Sequence, residues 1–232
     1  TPSPYSAQLS MSQQGRRIAY VHQARTTNLY KMGFDPAREA LARQSVPVTQ
    51  GSREARHLAL SPDGEWIAFA SWGQRAQLFL VRTDGTGLRQ LTDDIHRYGM
   101  PAWSPDGKKI AFSSGRSGKG EGWMINPDGS GLRQLTHEPR AGVVTPLWSP
   151  DGHRLAFTLV GATPFIMESE KPWKLQTPQV LSGLQKPDAW FWLWSWSPDG
   201  RKLAATRMRS DASDSGFVVY SLDSNTFQEV TD

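Results

Sequence analysis

The sequence predicts an all-β fold made of four-stranded antiparallel sheets, because one pattern recurs five times at a nearly constant spacing. Ser-Pro-Asp-Gly begins at residues 61, 104, 149 and 197, and a weaker form, Ser-Gln-Gln-Gly, begins at residue 12. Successive copies are therefore 49, 43, 45 and 48 residues apart. Repeats of this length are typical of solenoids, arrays and propellers.

Each copy keeps the same residue types around this four-residue motif, which we call the turn word. The sixth residue after the serine is Ile or Leu, the seventh is Ala, and the residue before the serine is Trp in the last three copies. Proline presets the backbone for a turn, aspartate can accept hydrogen bonds from that backbone, and glycine adopts the positive φ that closes the turn. The word therefore predicts one β-hairpin in each copy.

A second turn follows in the best-preserved copies. Residues 83–87 read Thr-Asp-Gly-Thr-Gly and residues 127–131 read Pro-Asp-Gly-Ser-Gly, each between an apolar run and a segment ending in Leu-Thr. Two hairpins give four antiparallel strands, which is the size of one propeller blade. We therefore predict a β-propeller with five blades in this chain, either closed as it stands or part of a propeller of six to eight blades.

The blades are expected in chain order within a single domain, because no linker interrupts the repeats. Blade one takes residues 1–50, with strands near residues 5–11, 16–21, 28–32 and 46–49. The segment 37–43, Ala-Arg-Glu-Ala-Leu-Ala-Arg, is helix-like but stands where the second turn should be, so we expect an elaborated turn there. The remaining blades take residues 51–93, 94–137, 138–185 and 186–232.

The words Trp-Ser-Pro-Asp-Gly, Ile-Ala-Phe, Asp-Gly-Ser-Gly and Leu-Thr resemble the repeat of TolB-like β-propellers. The resemblance covers nearly the whole chain, although copies one, four and five depart from parts of the pattern. It implies a bacterial interaction or sensory module, in the periplasm or another extracytoplasmic compartment, with the cytoplasm left open. The fold alone does not fix the function, because one architecture hosts many unrelated activities.

The composition argues against several kinds of catalytic site and partner. The chain has no cysteine, which excludes disulfides and thiol catalysis. Its formal net charge is +4, but the basic residues are scattered, so we expect no nucleic-acid partner. No apolar run approaches the roughly 20 residues of a membrane-spanning helix, so no membrane insertion is expected.

Catalytic and cofactor motifs are missing from the sequence. There is no Gly-x-Ser-x-Gly or His-Glu-x-x-His pattern, and the five histidines occupy unrelated blade positions. Segment 115–119, Gly-Arg-Ser-Gly-Lys, lacks the spacing of a phosphate-binding loop. The aspartates of the turn word are explained by local hydrogen bonding; they are Asp63, Asp106, Asp151 and Asp199. We therefore expect a protein that is not an enzyme and has no cofactor or metal.

A candidate binding surface follows from strand direction. Strands in a meander alternate, so the Ser-Pro-Asp-Gly and Asp-Gly turns share one rim and the longer loops share the other. Loops on a rigid scaffold are where binding residues concentrate. The predicted binding residues on the long-loop rim are Trp72, Arg75, His96, Arg97, Tyr98, Arg116, His137, Arg140, Trp190, Trp192 and Arg207.

The segment 190–196, Trp-Phe-Trp-Leu-Trp-Ser-Trp, is the most unusual local feature. Alternate residues of a strand face the same way, so the four tryptophans are predicted to share one face. Trp194 and Trp196 align with positions that pack between blades. Trp190 and Trp192 extend toward the long-loop rim, as core residues or as an aromatic binding platform.

Three functions remain compatible with these features. The first is a non-catalytic propeller that binds a protein or peptide partner. The second is the substrate-gating propeller of a prolyl-oligopeptidase-like hydrolase, and the third is the ligand-sensing domain of a bacterial transcriptional regulator. Open sheet edges would also allow a homodimer, because unpaired edges associate with other chains.

Overall fold

Strands make up nearly all the regular structure of the described residues, which confirms the all-β prediction. The computed structural model describes residues 5–11, 18–22, 27–35, 37–38, 40–51, 54–71, 76–182, 189–209 and 216–230. The chain divides into two units, residues 1–55 and 56–232.

The first unit contains four strands in two antiparallel hairpins. Strand β1 (Tyr5–Met11) pairs with β2 (Ile18–His22), and β3 (Tyr30–Asp35) pairs with β4 (Ala40–Pro47). The described residues of copy one form these two two-stranded sheets.

Segment 37–43, where we expected an elaborated turn, contains a turn at residues 37–38, and residues 40–43 belong to strand β4. The carboxylate of Asp35 accepts hydrogen bonds from the backbone N–H groups of Ala37 (3.0 Å) and Arg38 (3.3 Å), which turns the chain back on itself. Ala40 then pairs with Asp35 across the hairpin. Pairing with a neighbouring strand overrides the weak helix preference of an alanine-rich segment.

The second unit contains four four-stranded antiparallel sheets, one for each of copies two to five, and this confirms the predicted blades. In every sheet the strands lie side by side in chain order. The first two sheets comprise β5 (Ala55–Leu60), β6 (Trp66–Ser71), β7 (Leu78–Arg82) and β8 (Arg89–Gln90), then β9 (Tyr98–Trp103), β10 (Ile110–Ser114), β11 (Glu121–Ile125) and β12 (Arg133–Gln134).

The last two sheets comprise β13 (Val143–Trp148), β14 (Arg154–Leu159), β15 (Ala162–Glu168) and β16 (Gln179–Val180), then β17 (Ala189–Trp196), β18 (Lys202–Arg209), β19 (Gly216–Ser221) and β20 (Thr226–Glu229). Copy four lacks the second Asp-Gly turn. A 3₁₀ turn at Trp173–Leu175 lies between its third and fourth strands instead.

The turn word folds through a small hydrogen-bond network, which copy four illustrates. The backbone N–H of Gly152 donates to the carbonyl of Ser149 (2.9 Å), and Gly152 has a φ of 74°. The hydroxyl of Ser149 donates to the carboxylate of Asp151 (2.5 Å) and accepts from the N–H of Arg154 (2.9 Å). The same oxygen of Asp151 accepts from the N–H of His153 (3.0 Å). Each aspartate thus serves its own turn, as predicted.

Consecutive blades of the second unit pack face to face through three apolar clusters. In copies three to five, the tryptophan directly before the Ser-Pro-Asp-Gly turn lies at these contacts and donates its indole N–H to a backbone carbonyl of the preceding blade. The pairs are Trp103 with Ala59 (3.2 Å), Trp148 with Ala102 (3.1 Å) and Trp196 with Leu147 (3.2 Å). The same contact therefore links blades two to three, three to four and four to five.

The prediction that the four tryptophans of β17 share one face is wrong. The pairing of β17 with β18 shifts register between Leu193 and Ser195. A bulge inserts one extra residue, so alternation restarts on the other face. Trp196 consequently pairs with Leu203 and packs on the same apolar cluster as Leu193. Trp194, which we expected between blades, has 57% of its surface exposed.

The turn aspartates lead to a prediction about acid stability. A hydrogen bond from the serine two residues earlier, followed by one from a backbone N–H, lowers the pKa of Asp63, Asp106, Asp151 and Asp199 below its ordinary value. A carboxyl whose pKa is lower in the folded state stabilises the fold above its unfolded pKa, and this contribution disappears as pH falls through the folded pKa. We expect the double variant Asp106→Asn/Asp151→Asn to melt below the parent at pH 7.

The melting temperatures of parent and variant should converge from about pH 5 to about pH 2, because the parent carboxyls become neutral like the amides. Thermal unfolding followed by circular dichroism across this range measures the difference. Asp93→Asn, which changes an exposed carboxylate outside these turns, is the matched control. An equal difference in melting temperature between parent and double variant at every pH would contradict the lowered pKa of these aspartates.

Candidate functional site

The longer loops of the second unit lie at one end of the blades, which we call the loop rim. It includes residues 91–97 and 115–120 of copies two and three, and residues 135–142 before blade four. In copy four, β14 and β15 are joined at this end by a tight turn at Val160 and Gly161. The Ser-Pro-Asp-Gly turns lie at the opposite end, the turn rim.

A buried glutamine organises the loop rim of copy two. Thr92 donates its hydroxyl hydrogen to the side-chain oxygen of Gln77 (2.9 Å) and accepts from the N–H of Leu78 (3.0 Å). The side-chain amide of Gln77 donates to the carbonyls of Asp94 (2.8 Å) and His96 (3.1 Å). Gln77 and Thr92 are each 5% exposed, so these bonds fix the backbone of the loop from below.

Copy three repeats this arrangement with charged groups. Glu121, which is 2% exposed, accepts hydrogen bonds from the hydroxyl of Thr136 and from the N–H of Glu138 (3.2 Å). A carboxylate has no N–H to donate, so it cannot hold the loop carbonyls as Gln77 does. Lys119 supplies the missing donor: its ammonium group donates to the carbonyl of Glu138 and lies 3.7 Å from Glu121.

Asp94, Tyr98 and Arg116 form a second polar group on the loop rim. Tyr98 donates to the carboxylate of Asp94, and the Arg116 guanidinium lies 3.1 Å from the same oxygen and 5.7 Å from the ring centre of Trp123. Burial opposes ionisation of Asp94, but hydrogen bonds from Tyr98 and His96 and the charge of Arg116 lower its pKa overall. Burial and then Asp94 raise the pKa of Tyr98, which stays a donor.

Arg140 forms a bidentate ion pair with Glu138. The two nitrogen–oxygen distances are 2.6 and 2.8 Å, and the Glu138 side chain is 2% exposed. The hydrogen bond from Arg140 lowers the pKa of Glu138 and raises that of Arg140. Two arginines that we predicted to bind a partner, Arg116 and Arg140, are thus already neutralised by loop-rim acids.

The other predicted loop residues differ in exposure, and two of them are not described. Trp72 and Arg75 lie outside the described residues. Arg97 is exposed, and His96 is half-buried with its N–H bonded to Asp94 (2.8 Å). His137 is exposed, with one ring nitrogen 3.1 Å from the side-chain nitrogen of Gln134.

Arg207, Trp190 and Trp192 belong to the sheet of blade five and not to a loop. Arg207 is 13% exposed and pairs with Glu229. Trp190 and Trp192 are half-buried and face the same side as their partners in β18.

The acidic and amide residues of the loop rim were not among the residues that we predicted from the sequence. A repeated signal was available: Leu-Thr-Asp-Asp at 91–94 and Leu-Thr-His-Glu at 135–138 place an acid two residues after the buried threonine. The partners Gln77 and Glu121 stand 15 residues before those threonines. Only the paired strands bring them together.

The first strands of blades two, three and four carry a feature with no obvious sequence signal. His57, Met100 and Thr145 each stand four residues before the turn serine and have left-handed backbone, with φ of 50°, 51° and 43°. At Met100 and Thr145 the strand pairing shifts register. Left-handed backbone strains residues other than glycine, and most of all a β-branched one. Burial, followed by the charge of Arg56, lowers the pKa of His57.

Within the described part of the chain, no group of three or more His, Asp or Glu side chains could hold a metal ion. No helix in those residues is long and apolar enough to span a membrane.

Copy three has a Glu121–Lys119 pair where copy two has Gln77. This difference predicts an energetic coupling between Glu121 and Lys119. Lys119→Met removes the ammonium group beside a buried carboxylate and should lower the free energy of unfolding by about 1 to 3 kcal/mol. In a Glu121→Gln background the new amide can donate to the carbonyl of Glu138, as Gln77 does to Asp94. The loss caused by Lys119→Met should then fall by more than half.

Urea unfolding of the parent, both single variants and the double variant measures this coupling. Lys108→Met, on the turn rim and exposed, should change stability by less than about 0.5 kcal/mol and serves as the control. An equal loss from Lys119→Met in both backgrounds would show that the two side chains act independently.

Comparison with known proteins gives short matches to proteins named as peptidases and longer matches to TolB propellers. The chain is 43% identical over 68 residues to a Bacillus subtilis protein named "Uncharacterized peptidase YuxL" and 40% identical over 68 residues to Dipeptidyl-peptidase 5 of Porphyromonas gingivalis. These segments are 28% and 26% of this chain, and the chain spans only 10% of either relative.

The solved structure of TolB from Acinetobacter baumannii superposes with a TM-score of 0.68 at 19% identity, over 87% of this chain and 52% of that one. At this identity the likeness concerns the fold alone. The family model described as the TolB beta propeller domain matches residues 5–187. Four blades with the same turn and the same contact between blades agree with that match, and the chain belongs to the TolB β-propeller domain family.

Proposed function

We propose that this chain is a non-catalytic binding module and that its loop rim holds a protein or peptide partner. The observation that carries the proposal is the construction of the rim in copies two and three. Buried Gln77 and Glu121 hold the loop backbones in place, so the exposed side chains above them are presented on a pre-organised surface. Pre-organisation reduces the ordering cost that binding must overcome.

The exposed side chains suggest the chemistry of the partner. Ile95 has 71% of its surface exposed in the middle of a fixed loop, and Arg97 is exposed two residues later. His137 and Arg140 lie exposed on the next loop. An apolar side chain beside the exposed guanidinium of Arg97 suits a peptide segment that carries an apolar and an acidic residue. Trp72 and Arg75 stay in the proposal from the sequence alone.

The proposed compartment is the periplasm or another extracytoplasmic space. It rests on the resemblance of the repeat to TolB-like propellers and on the family match.

A second candidate function is favoured by the named relatives. The two proteins that match at 43% and 40% identity are both named as peptidases, and the matched segments are a tenth of their length. In this alternative the chain is the propeller of a larger hydrolase and controls the access of peptides to a catalytic site outside these residues. Both candidates place a peptide on the propeller, and they differ in whether the peptide is cleaved.

The loop rim can be tested with a displayed library of random 12-residue peptides selected on the immobilised chain. Peptides from this selection should bind the variant Arg97→Glu/His137→Ala at least about tenfold more weakly, which corresponds to about 1.4 kcal/mol. Lys108→Glu, which reverses an exposed charge on the turn rim, should leave their affinity unchanged. Fluorescence anisotropy of labelled peptides measures each dissociation constant.

Selected peptides that lose affinity with Lys108→Glu and keep it with the loop-rim variant would place binding at the wrong end of the blades. To separate the two candidates, the same peptides are incubated with this chain and with the full natural polypeptide. Cleavage by the longer protein alone would favour the gating propeller. Cleavage by this chain would contradict both proposals.

A further inference from the structure

Three segments of the loop rim lie side by side between blades two and four. The first loop, residues 91–97, carries Arg97, and the second loop, residues 135–142, carries His137. Between them lies the connection from β10 to β11, residues 115–120, which we call the strap loop. The strap loop contains the Gly-Arg-Ser-Gly-Lys segment that has no phosphate-binding spacing.

Backbone hydrogen bonds tie the strap loop to both neighbours. The N–H of Gly115 donates to the carbonyl of Arg97 (3.2 Å), and the carbonyl of Gly120 accepts from the N–H of Val143 (2.8 Å), which directly follows the second loop. Each contact covers one strand spacing of about 4.8 Å, and the strap loop is a hairpin of about the same width. Arg97 and Val143 are therefore no more than about 15 Å apart, which an extended peptide spans with about five residues.

The two cations of the strap loop make a second set of ties. The guanidinium of Arg116 lies 3.1 Å from the carboxylate of Asp94 in the first loop. The ammonium group of Lys119 donates to the carbonyl of Glu138 in the second loop. The first loop follows the last strand of blade two, so the pair of Arg116 and Asp94 crosses the boundary between blades two and three.

Arg116 is itself held in place. Its backbone N–H donates to the hydroxyl of the buried Ser114 (3.2 Å), and its guanidinium lies 5.7 Å from the ring centre of Trp123, which is 9% exposed. Tyr98 donates to the carboxylate of Asp94 and so fixes the partner of Arg116. A polar network that is satisfied in this way makes the segments that it joins rigid.

We propose that the strap loop joins the first and second loops into one binding site for a single extended peptide, with Arg116 as a positioning residue. This inference rests on the proposed function, in which the exposed residues of the two loops hold a peptide. Arg116 acts through Asp94, and the peptide is contacted by Arg97 and His137. Two contacts on one rigid surface strengthen each other, because the second forms at high effective concentration once the first is made.

The relation between the two loops can be measured without a ligand. The chain has no cysteine, so the variant Ile95→Cys/His137→Cys carries spin labels at these two positions alone. Electron paramagnetic resonance should give a narrow distance distribution, and adding Arg116→Gln should broaden it, because the first loop then loses its side-chain tie to blade three. Arg201→Gln, which removes an exposed ion pair with Asp223 (2.7 Å) on the turn rim, is the matched control and should leave the distribution unchanged.

Peptide affinity provides the second measurement. Selected peptides that are weakened by Arg97→Glu and by His137→Ala are compared with versions in which alanine replaces the one residue responsible for either sensitivity. Arg116→Gln should weaken the complete peptides at least about fivefold, which is the lower end of coupling between two sites. It should leave the affinity of the single-contact versions unchanged. Arg116→Lys, which keeps a cation beside Asp94, should restore part of the loss.

An unchanged distance distribution in the Arg116→Gln variant would overturn the proposal, whether or not peptides bind. An equal loss of affinity for complete and single-contact peptides would also overturn it, because Arg116 would then touch the peptide itself. A broadened distribution together with peptides that are insensitive to Arg97→Glu/His137→Ala would contradict the proposed function, and the shared site would be overturned with it.

Discussion

The hydrogen bond from a tryptophan indole to the preceding blade fixes how the blades of the second unit stack. The faces between blades are made of alanine, leucine and phenylalanine, whose contacts are strong but not directional. A buried indole N–H must find an acceptor, and here it finds one backbone carbonyl at a fixed place in the neighbouring blade. The same bond at Trp103, Trp148 and Trp196 therefore holds three successive pairs of blades in the same relative position.

This repeated relation explains why the loop rim can act as a surface. The loops of copies two and three would move independently if their blades could slide. Instead the stacked sheets hold Gln77 and Glu121 at equivalent places, and these residues fix the loops above them. The ion pairs of Asp94 and Glu138 neutralise Arg116 and Arg140, so the proposed binding relies on the exposed side chains around Ile95 and His137.

The parts of the structure that depend on local sequence were predictable. The first turn and the structural role of its aspartate follow from residues within five positions of each serine, and the four-strand blades follow from the second turns at residues 83–87 and 127–131. The parts that depend on strand pairing were not. The bulge at Trp194 reverses the expected face of Trp196, β4 forms because Ala40 pairs with Asp35, and the partnership of Glu121 with Thr136 spans a hairpin. The two loop-rim residues Trp72 and Arg75 remain predictions from sequence.

Hydrogen exchange of the tryptophan indole groups, followed by NMR, tests the contact between blades most directly. The account predicts that the indole protons of Trp103, Trp148 and Trp196 exchange only when the blades separate, at least about a hundredfold more slowly than the indole proton of free tryptophan in the same buffer. Exchange of these three protons as fast as that of free tryptophan would show that the indole bonds do not hold the blades together.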